Sequence, residues 1–210
     1  MLLERIRGAD LLDRHRPLQT LVDGTPDHAC AAATNLLDQA VTENGLTDPG
    51  EILNQLHRGV LQALRQGYNE VSTQDGMDVS IIALDPAGGT VRWAGANRPL
   101  IVVSDGGRLS RYDGTKSPVG GVQGNPERVF KTHVIAAAPG STAYLFSDGY
   151  ADQFGGEKGK KFMAKRFYEV LQNIQDLSPG EKKHELEKRF DQWRAHHEQV
   201  DDVLVAGIEI

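Results

Sequence analysis

The chain has 210 residues, 39% of them hydrophobic and 25% charged, which suits one soluble globular domain with a substantial core. A formal net charge of −6 argues against a nucleic-acid-binding surface, and the densest basic group, Lys158, Lys160 and Lys161, reads as a solvated loop. The single cysteine, Cys30, excludes an internal disulfide and a cysteine-based zinc cluster, so a reducing, cytoplasmic compartment is expected. No apolar run approaches the ~18 residues of a membrane span. The start, Met1-Leu2-Leu3-Glu4-Arg5, lacks the apolar core of a secretory signal.

In chain order, Leu2, Leu3, Ile6, Leu11 and Leu12 fall on one face of a short helix that Pro17 would end. A second helix is predicted over Ala29 to Val41, closed by Asn44-Gly45. Thr47-Asp48-Pro49 opens a third, with a capping residue before a first-turn proline. Its buried face is Ile52, Leu53, Leu56, Val60, Leu61 and Leu64, and Gly67 stops it; these two helices are expected to pair antiparallel. From Asp75 the period becomes that of strands. Val79–Leu84 and Thr90–Ala94 flank the turn Asp85–Gly89, and Leu100–Val103 and Arg108–Tyr112 flank Asp105-Gly106-Gly107. Val129–Ala137 and Thr142–Phe146 lie on either side of Pro139-Gly140. Helices near Phe162–Ile174 and Pro179–His196 and a strand Val203–Ile210 complete an α+β layered architecture.

Two places carry chemistry. The apolar run Ala143–Phe146 ends in Ser147-Asp148-Gly149, and Asp201-Asp202 opens the last strand. Neighbouring strands built this way would hold carboxylates at a sheet edge, where hard divalent cations bind. On the residues alone, a Ser-Asp-Gly turn and a solvated strand start account for them equally well. The seven histidines show no metal-binding spacing, and His196-His197 reads as a solvated helix end.

Further motifs decide between these readings. Asp75-Gly76-Met77-Asp78, then Trp93-Ala94-Gly95-Ala96-Asn97-Arg98-Pro99-Leu100, then Ser117-Pro118-Val119-Gly120 resemble the stage II sporulation protein E-like phosphatases. These are the bacterial branch of the metal-dependent protein phosphatase (PPM) superfamily. Tyr144 to Lys161 and Gln199 to Val205 are similar to one subgroup of that branch, in the right order, so the resemblance runs from about Ala29 to Ile210. It divides the chain into a divergent segment, 1–27, and a phosphatase domain, 28–210. It implies a PPM-like sandwich of antiparallel β-sheets flanked by helix pairs. It also implies a centre of two Mn2+ or Mg2+ ions that hydrolyses phosphoserine or phosphothreonine. Asp148 and Asp201 match family metal ligands, and Asp202 and Gly149 stand beside them in supporting or substrate-facing places. Two cations roughly 3.5–4 Å apart can share a water, lower its pKa and aim it at phosphorus. Asp75, Asp78 and Asn97 read as structural: a turn, a strand entry and a hairpin turn.

One family motif does not match. Members carry an early strand ending in Asp-x-Thr-Gly-His-Gly-Val-Pro-Gly-Ala, whose aspartate bridges the metals and whose next residue adds a backbone ligand. Aligned without gaps, that aspartate falls on Leu18; with a deletion of about five residues, Asp23-Gly24-Thr25 takes its place. Asp23 and Gly24 therefore complete the expected metal set. The strands that precede the motif are not evident in residues 1–22, which would leave a sheet edge for a helix or a second subunit to cover. Two functions follow. One is a metal-dependent serine/threonine phosphoprotein phosphatase of bacterial signalling, acting by the resemblance on a phosphorylated anti-sigma-factor antagonist. The other is a degenerate pseudophosphatase that binds a partner or forms a homodimer. Lys158, Lys160, Lys161 and Arg98 are the basic groups available to line a substrate mouth, though each reads first as a solvated side chain.

Overall fold

The computed structural model describes residues 18–23, 47–66, 76–84, 90–121 and 128–210. The expected helices before residue 47, Cys30, Gly24, Gly67, Asp75 and the turn Asp85–Gly89 lie outside them. In chain order the first described elements are β1 (Leu18–Asp23), α1 (Pro49–Ala63), β2 (Gly76–Leu84), β3 (Thr90–Ala96), β4 (Leu100–Val103), β5 (Leu109–Tyr112), β6 (Val119–Gly120) and β7 (His133–Ala136). There follow β8 (Thr142–Phe146), α2 (Gly149–Asp152), β9 (Phe154–Gly155), β10 (Lys160–Lys161), α3 (Ala164–Asn173), α4 (Pro179–Arg194) and β11 (Val205–Glu209). They fall into two compact units, one of Arg16–Leu100 with Tyr112–Ala136, the other chiefly Ile101–Arg111 with Ala137–Ile210. Among the described residues no helix is long and apolar enough to cross a membrane.

In the first unit the strand order is β1-β2-β3-β7, all antiparallel, with β6 paired to the start of β2. The helix α1 starts as its sequence directs: the Glu51 N–H donates to Asp48 Oδ1 at 3.0 Å, and Pro49 occupies the first turn, where no N–H is needed. Its buried face, Ile52, Leu53, Leu56 and Val60, packs on Met77, Val79 and Ile81 of β2. Each such side chain stabilises the fold by about 1.5–3 kcal/mol. The helix gives way at Leu64, and Arg65 turns left-handed with φ 51°.

The strand β1 occurs where alternation gave no strand, and it covers six residues of β2 from Leu18 opposite Ala83 to Asp23 opposite Asp78. The predicted strand Val129–Ala137 shortens to His133–Ala136, because the residues before it are bonded to α1 instead. Phe130 N–H donates to Asn54 Oδ1 at 2.8 Å, and Thr132 Oγ1 accepts from Gly50 N–H at 2.8 Å while donating to Asp48 Oδ1 at 2.7 Å. The strands on either side of Pro139-Gly140 also part: β7 joins β3, and β8 joins β4 and β11.

The second unit carries the sheet β11-β8-β4-β5 and the small hairpin β9-β10. Its core sets Tyr144 and Phe146 of β8 and Val205 of β11 with Tyr150, Phe167, Leu186 and Phe190. Tyr150 is fully buried and stacks among Phe162, Phe167 and Phe190, with ring centroids 4.7–5.2 Å away. Its hydroxyl donates to the Leu186 carbonyl at 2.8 Å. Burial, opposed by Arg189, pushes this phenol far above its usual value. Because the folded chain holds the proton, this contribution is intact below the unfolded phenol pKa of about 10 and is lost as pH rises above it. Urea unfolding at pH 8 and pH 11 should show a loss of stability at the higher pH that is smaller in Tyr150→Phe, which costs about 1 kcal/mol at pH 8. An unchanged alkaline loss in the variant would contradict this.

Candidate metal centre

The last residue of β8, Phe146, faces Val205 across the ladder, and Ser147 extends the pairing one step beyond it. Ser147 is fully buried, with its N–H donating to the Leu204 carbonyl at 2.9 Å. Its hydroxyl donates to the Asp202 carbonyl at 2.8 Å and accepts the Leu204 N–H at 2.9 Å. One small side chain thereby satisfies groups of both residues flanking Val203. Asp148 follows at the surface, its carbonyl accepting the Asp152 N–H at 2.9 Å to start α2. Gly149 then passes so near the other segment that a Cβ there would meet the Asp202 carbonyl oxygen. Glycine is needed here for close approach of two backbones, a role distinct from turn flexibility.

Asp201 and Asp202 are both exposed. Asp201 Oδ1 accepts the Asp202 N–H at 2.8 Å, and Gln199 Nε2 donates to the Asp201 carbonyl at 2.9 Å. The strand predicted from Val203 begins its ladder at Val205, because the Asp202 carbonyl and the Leu204 N–H on either side of Val203 are bonded to the Ser147 hydroxyl. Asp148 and Asp201-Asp202 therefore lie on two segments locked to each other. Hard oxygen donors at a solvent-facing edge suit Mn2+ or Mg2+ in kind. Among the described residues, no three His, Cys, Asp or Glu side chains gather into a metal-holding group.

The other candidate residues belong to the first unit. Asp23 ends β1 in register with Asp78, and Gly24 follows outside the described residues. The Asp78 carboxylate is bonded at both oxygens, accepting Asn97 Nδ2 at 2.7 Å and pairing with Arg98 Nη2 at 3.3 Å. Asn97, with φ 59°, takes the left-handed conformation that asparagine tolerates, but the turn is not the expected hairpin, since β3 pairs with β2 and β7 while β4 pairs with β8 and β5. The structural reading of Asp78 and Asn97 thus agrees with their contacts, and Arg98 is held on Asp78. Lys161 pairs with Asp152 at 2.9 Å.

Two contributors were not read from sequence. Ser147 gave no signal beyond its place in Ser-Asp-Gly. Trp193 donates from Nε1 to the Gln153 carbonyl at 3.0 Å, while its own carbonyl accepts the Gly156 N–H at 2.9 Å. The side chain of Gln153 in turn donates to the Glu198 carbonyl at 2.8 Å. These bonds join the segment after Asp148 to the segment before Asp201.

Residues 24–210 match the family model described as Stage II sporulation protein E (SpoIIE). No curated protein sequence matches the chain. Among solved structures, the chain is similar to the SiaA-PP2C domain of Pseudomonas aeruginosa at 26% identity and a TM-score of 0.78, over 92% of this chain and 75% of that one. The PP2C phosphatase domain with a regulatory fragment of SpoIIE from Bacillus subtilis aligns at 15% identity and a TM-score of 0.65, over 92% of this chain and 54% of that one. RsbX in complex with magnesium aligns at 15% identity and a TM-score of 0.56, over 90% and 77% respectively. The likenesses to SpoIIE and RsbX speak to the fold alone, and the match of the family model carries the assignment. With Ser147 laced to Asp202 and Leu204 just beyond the antiparallel strands β8 and β11, the chain belongs to the stage II sporulation protein E family and has the α+β fold of the PPM phosphatases.

Proposed function

We propose that the chain is a metal-dependent protein serine/threonine phosphatase of a bacterial signalling route, acting in the cytoplasm on a small phosphorylated protein such as an anti-sigma-factor antagonist. The observation that carries this reading is the lacing of Ser147 to Asp202 and Leu204, which keeps Asp148 beside Asp201-Asp202. In this reading Asp148 and Asp201 are metal ligands, and the resemblance adds Asp23 and Gly24 to the ligand set. Asp202 steadies Asp201 through its N–H. The end of β1 at Asp23 supports taking that residue for the motif aspartate in preference to Leu18. Two Mn2+ or Mg2+ ions, when bound, supply Lewis acidity toward the phosphoryl oxygens and an acidified water. The chain's part is to hold acceptors at fixed positions, so that little reorganisation is needed when charge develops on phosphorus.

The test is hydrolysis of a phosphoserine peptide by the full chain. Chelation with EDTA should abolish turnover, and Mn2+ or Mg2+ should restore it. Absence of turnover with every divalent ion tried would overturn the enzyme reading and leave a binding module in its place.

A further inference from the structure

We propose that the exposed basic face formed by β9-β10 and the first turn of α3 docks an acidic segment of a protein partner. Naming that partner as the phosphoprotein substrate rests on the phosphatase reading above.

The chain as a whole is acidic at −6, yet five cations, Lys158, Lys160, Lys161, Lys165 and Arg166, crowd a short stretch that holds no carboxylate between Glu157 and Glu169. All five are exposed. Lys161 pairs with Asp152, and Arg166 lies over the Trp193 ring at 4.2 Å. Among the described residues Lys158, Lys160 and Lys165 form no ion pair. The stretch also departs from what helix stability alone favours. Lys165 and Arg166 stand in the first turn of α3, which has no acidic residue, so they add to the positive end of the helix dipole.

A loose solvated loop would relax this repulsion by spreading its charges. Here the stretch is fixed instead. Phe162 N–H donates to the Gln153 carbonyl at 2.9 Å and Met163 N–H to the Ala151 carbonyl at 2.7 Å. Gly155 lies so close to the Trp193 carbonyl that a Cβ would collide with it. The backbone that carries these charges is held in place and loses little freedom on binding, which favours a preorganised docking face. The anchor points also tie this face to the candidate centre: Ala151 follows Asp148 within α2, and Glu198, bonded by Gln153, shortly precedes Asp201.

Two exposed apolar side chains, Met163 at 60% and Phe154 at 39% exposure, border the cations. Adaptable apolar contacts beside charges suit a peptide surface better than a simple anion. A nucleic acid extending past this small patch would meet a chain of net charge −6, whereas a short acidic segment matches the patch in sign and extent. Such a segment would flank the phosphorylated residue.

The experiment compares a short phosphoserine peptide flanked by glutamates with its glutamine-flanked counterpart, using the full chain and the triple variant Lys158→Glu, Lys160→Glu, Lys165→Glu. Fluorescence anisotropy at low salt should show the wild type binding the glutamate peptide about tenfold more tightly, with the preference fading in high salt and vanishing in the variant. With Mn2+ present, the same preference should appear in KM more than in kcat. If no turnover occurs, the phosphatase reading fails while the binding preference still decides this proposal. Equal binding of the two peptides by wild type, a preference that survives in the variant, or binding only to anionic vesicles or DNA would each overturn it. Circular dichroism of the variant checks that it is folded; should it fail, the charge-neutralising set Lys158→Gln, Lys160→Gln, Lys165→Gln must abolish the preference.

Discussion

Gly149→Ala is expected to destabilise the chain by about 3 kcal/mol and to weaken Mn2+ binding, although alanine is the better helix former. At the first position of α2, alanine would ordinarily be favoured over glycine by about 0.5–1 kcal/mol. The space around Gly149 reverses that sign. An added Cβ would meet the Asp202 carbonyl oxygen, and the Val203 Cγ2 stands 3.2 Å from the same point. The carbonyl has nowhere to retreat without breaking the 2.8 Å bond from the Ser147 hydroxyl. Relief must come from moving Asp201-Asp202 away from Asp148, so a stability loss and a metal-binding loss should appear together. Urea unfolding and Mn2+ titration measure the two. A variant as stable as wild type would show that the contact is slack and that the segments are not locked.

Asp148→Asn is expected to show the opposite pairing, an intact fold with turnover reduced by about a thousandfold. Asp148 is exposed, so the substitution should change stability by no more than about 0.5 kcal/mol. Asparagine keeps the size and one oxygen acceptor but removes the charge that a divalent cation requires. Asp202→Asn should cost far less, under about tenfold in Mn2+ affinity, because the backbone N–H that Asp202 donates to Asp201 Oδ1 survives the substitution. Phosphopeptide turnover and unfolding measured on the same preparations separate these cases. Retained activity in Asp148→Asn would remove this residue from the proposed centre.

Much of the fold was legible because its signals are local. Asp48-Pro49 announced α1, and the turn Asp105-Gly106-Gly107 announced the β4-β5 hairpin. What escaped the sequence depends on partners distant in the chain. Nothing in the residues Val129 to Lys131 distinguishes a strand from a segment whose backbone is bonded by Asn54, some 76 positions earlier. The assignment of β7 and β8 to different sheets is likewise a matter of pairing that alternation cannot express. β1 lacks strict alternation, and its existence depends on β2. For the candidate site, the carboxylates Asp148, Asp201 and Asp202 were visible as motif residues. The Ser147 lacing was not, since a buried hydroxyl and a turn hydroxyl look identical in sequence.

The placement of the two tryptophans makes the molecule its own optical instrument. Trp93 lies fully buried in the first unit, its Nε1 donating to Ser80 Oγ at 2.7 Å. Trp193 stands in the second, half-buried beneath the Arg166 guanidinium. Their emission should differ in wavelength and in access to a soluble quencher. Variants that keep one indole at a time would report each unit separately. Superimposed denaturation curves from the two would mark a single cooperative transition, and separated ones would reveal which unit yields first.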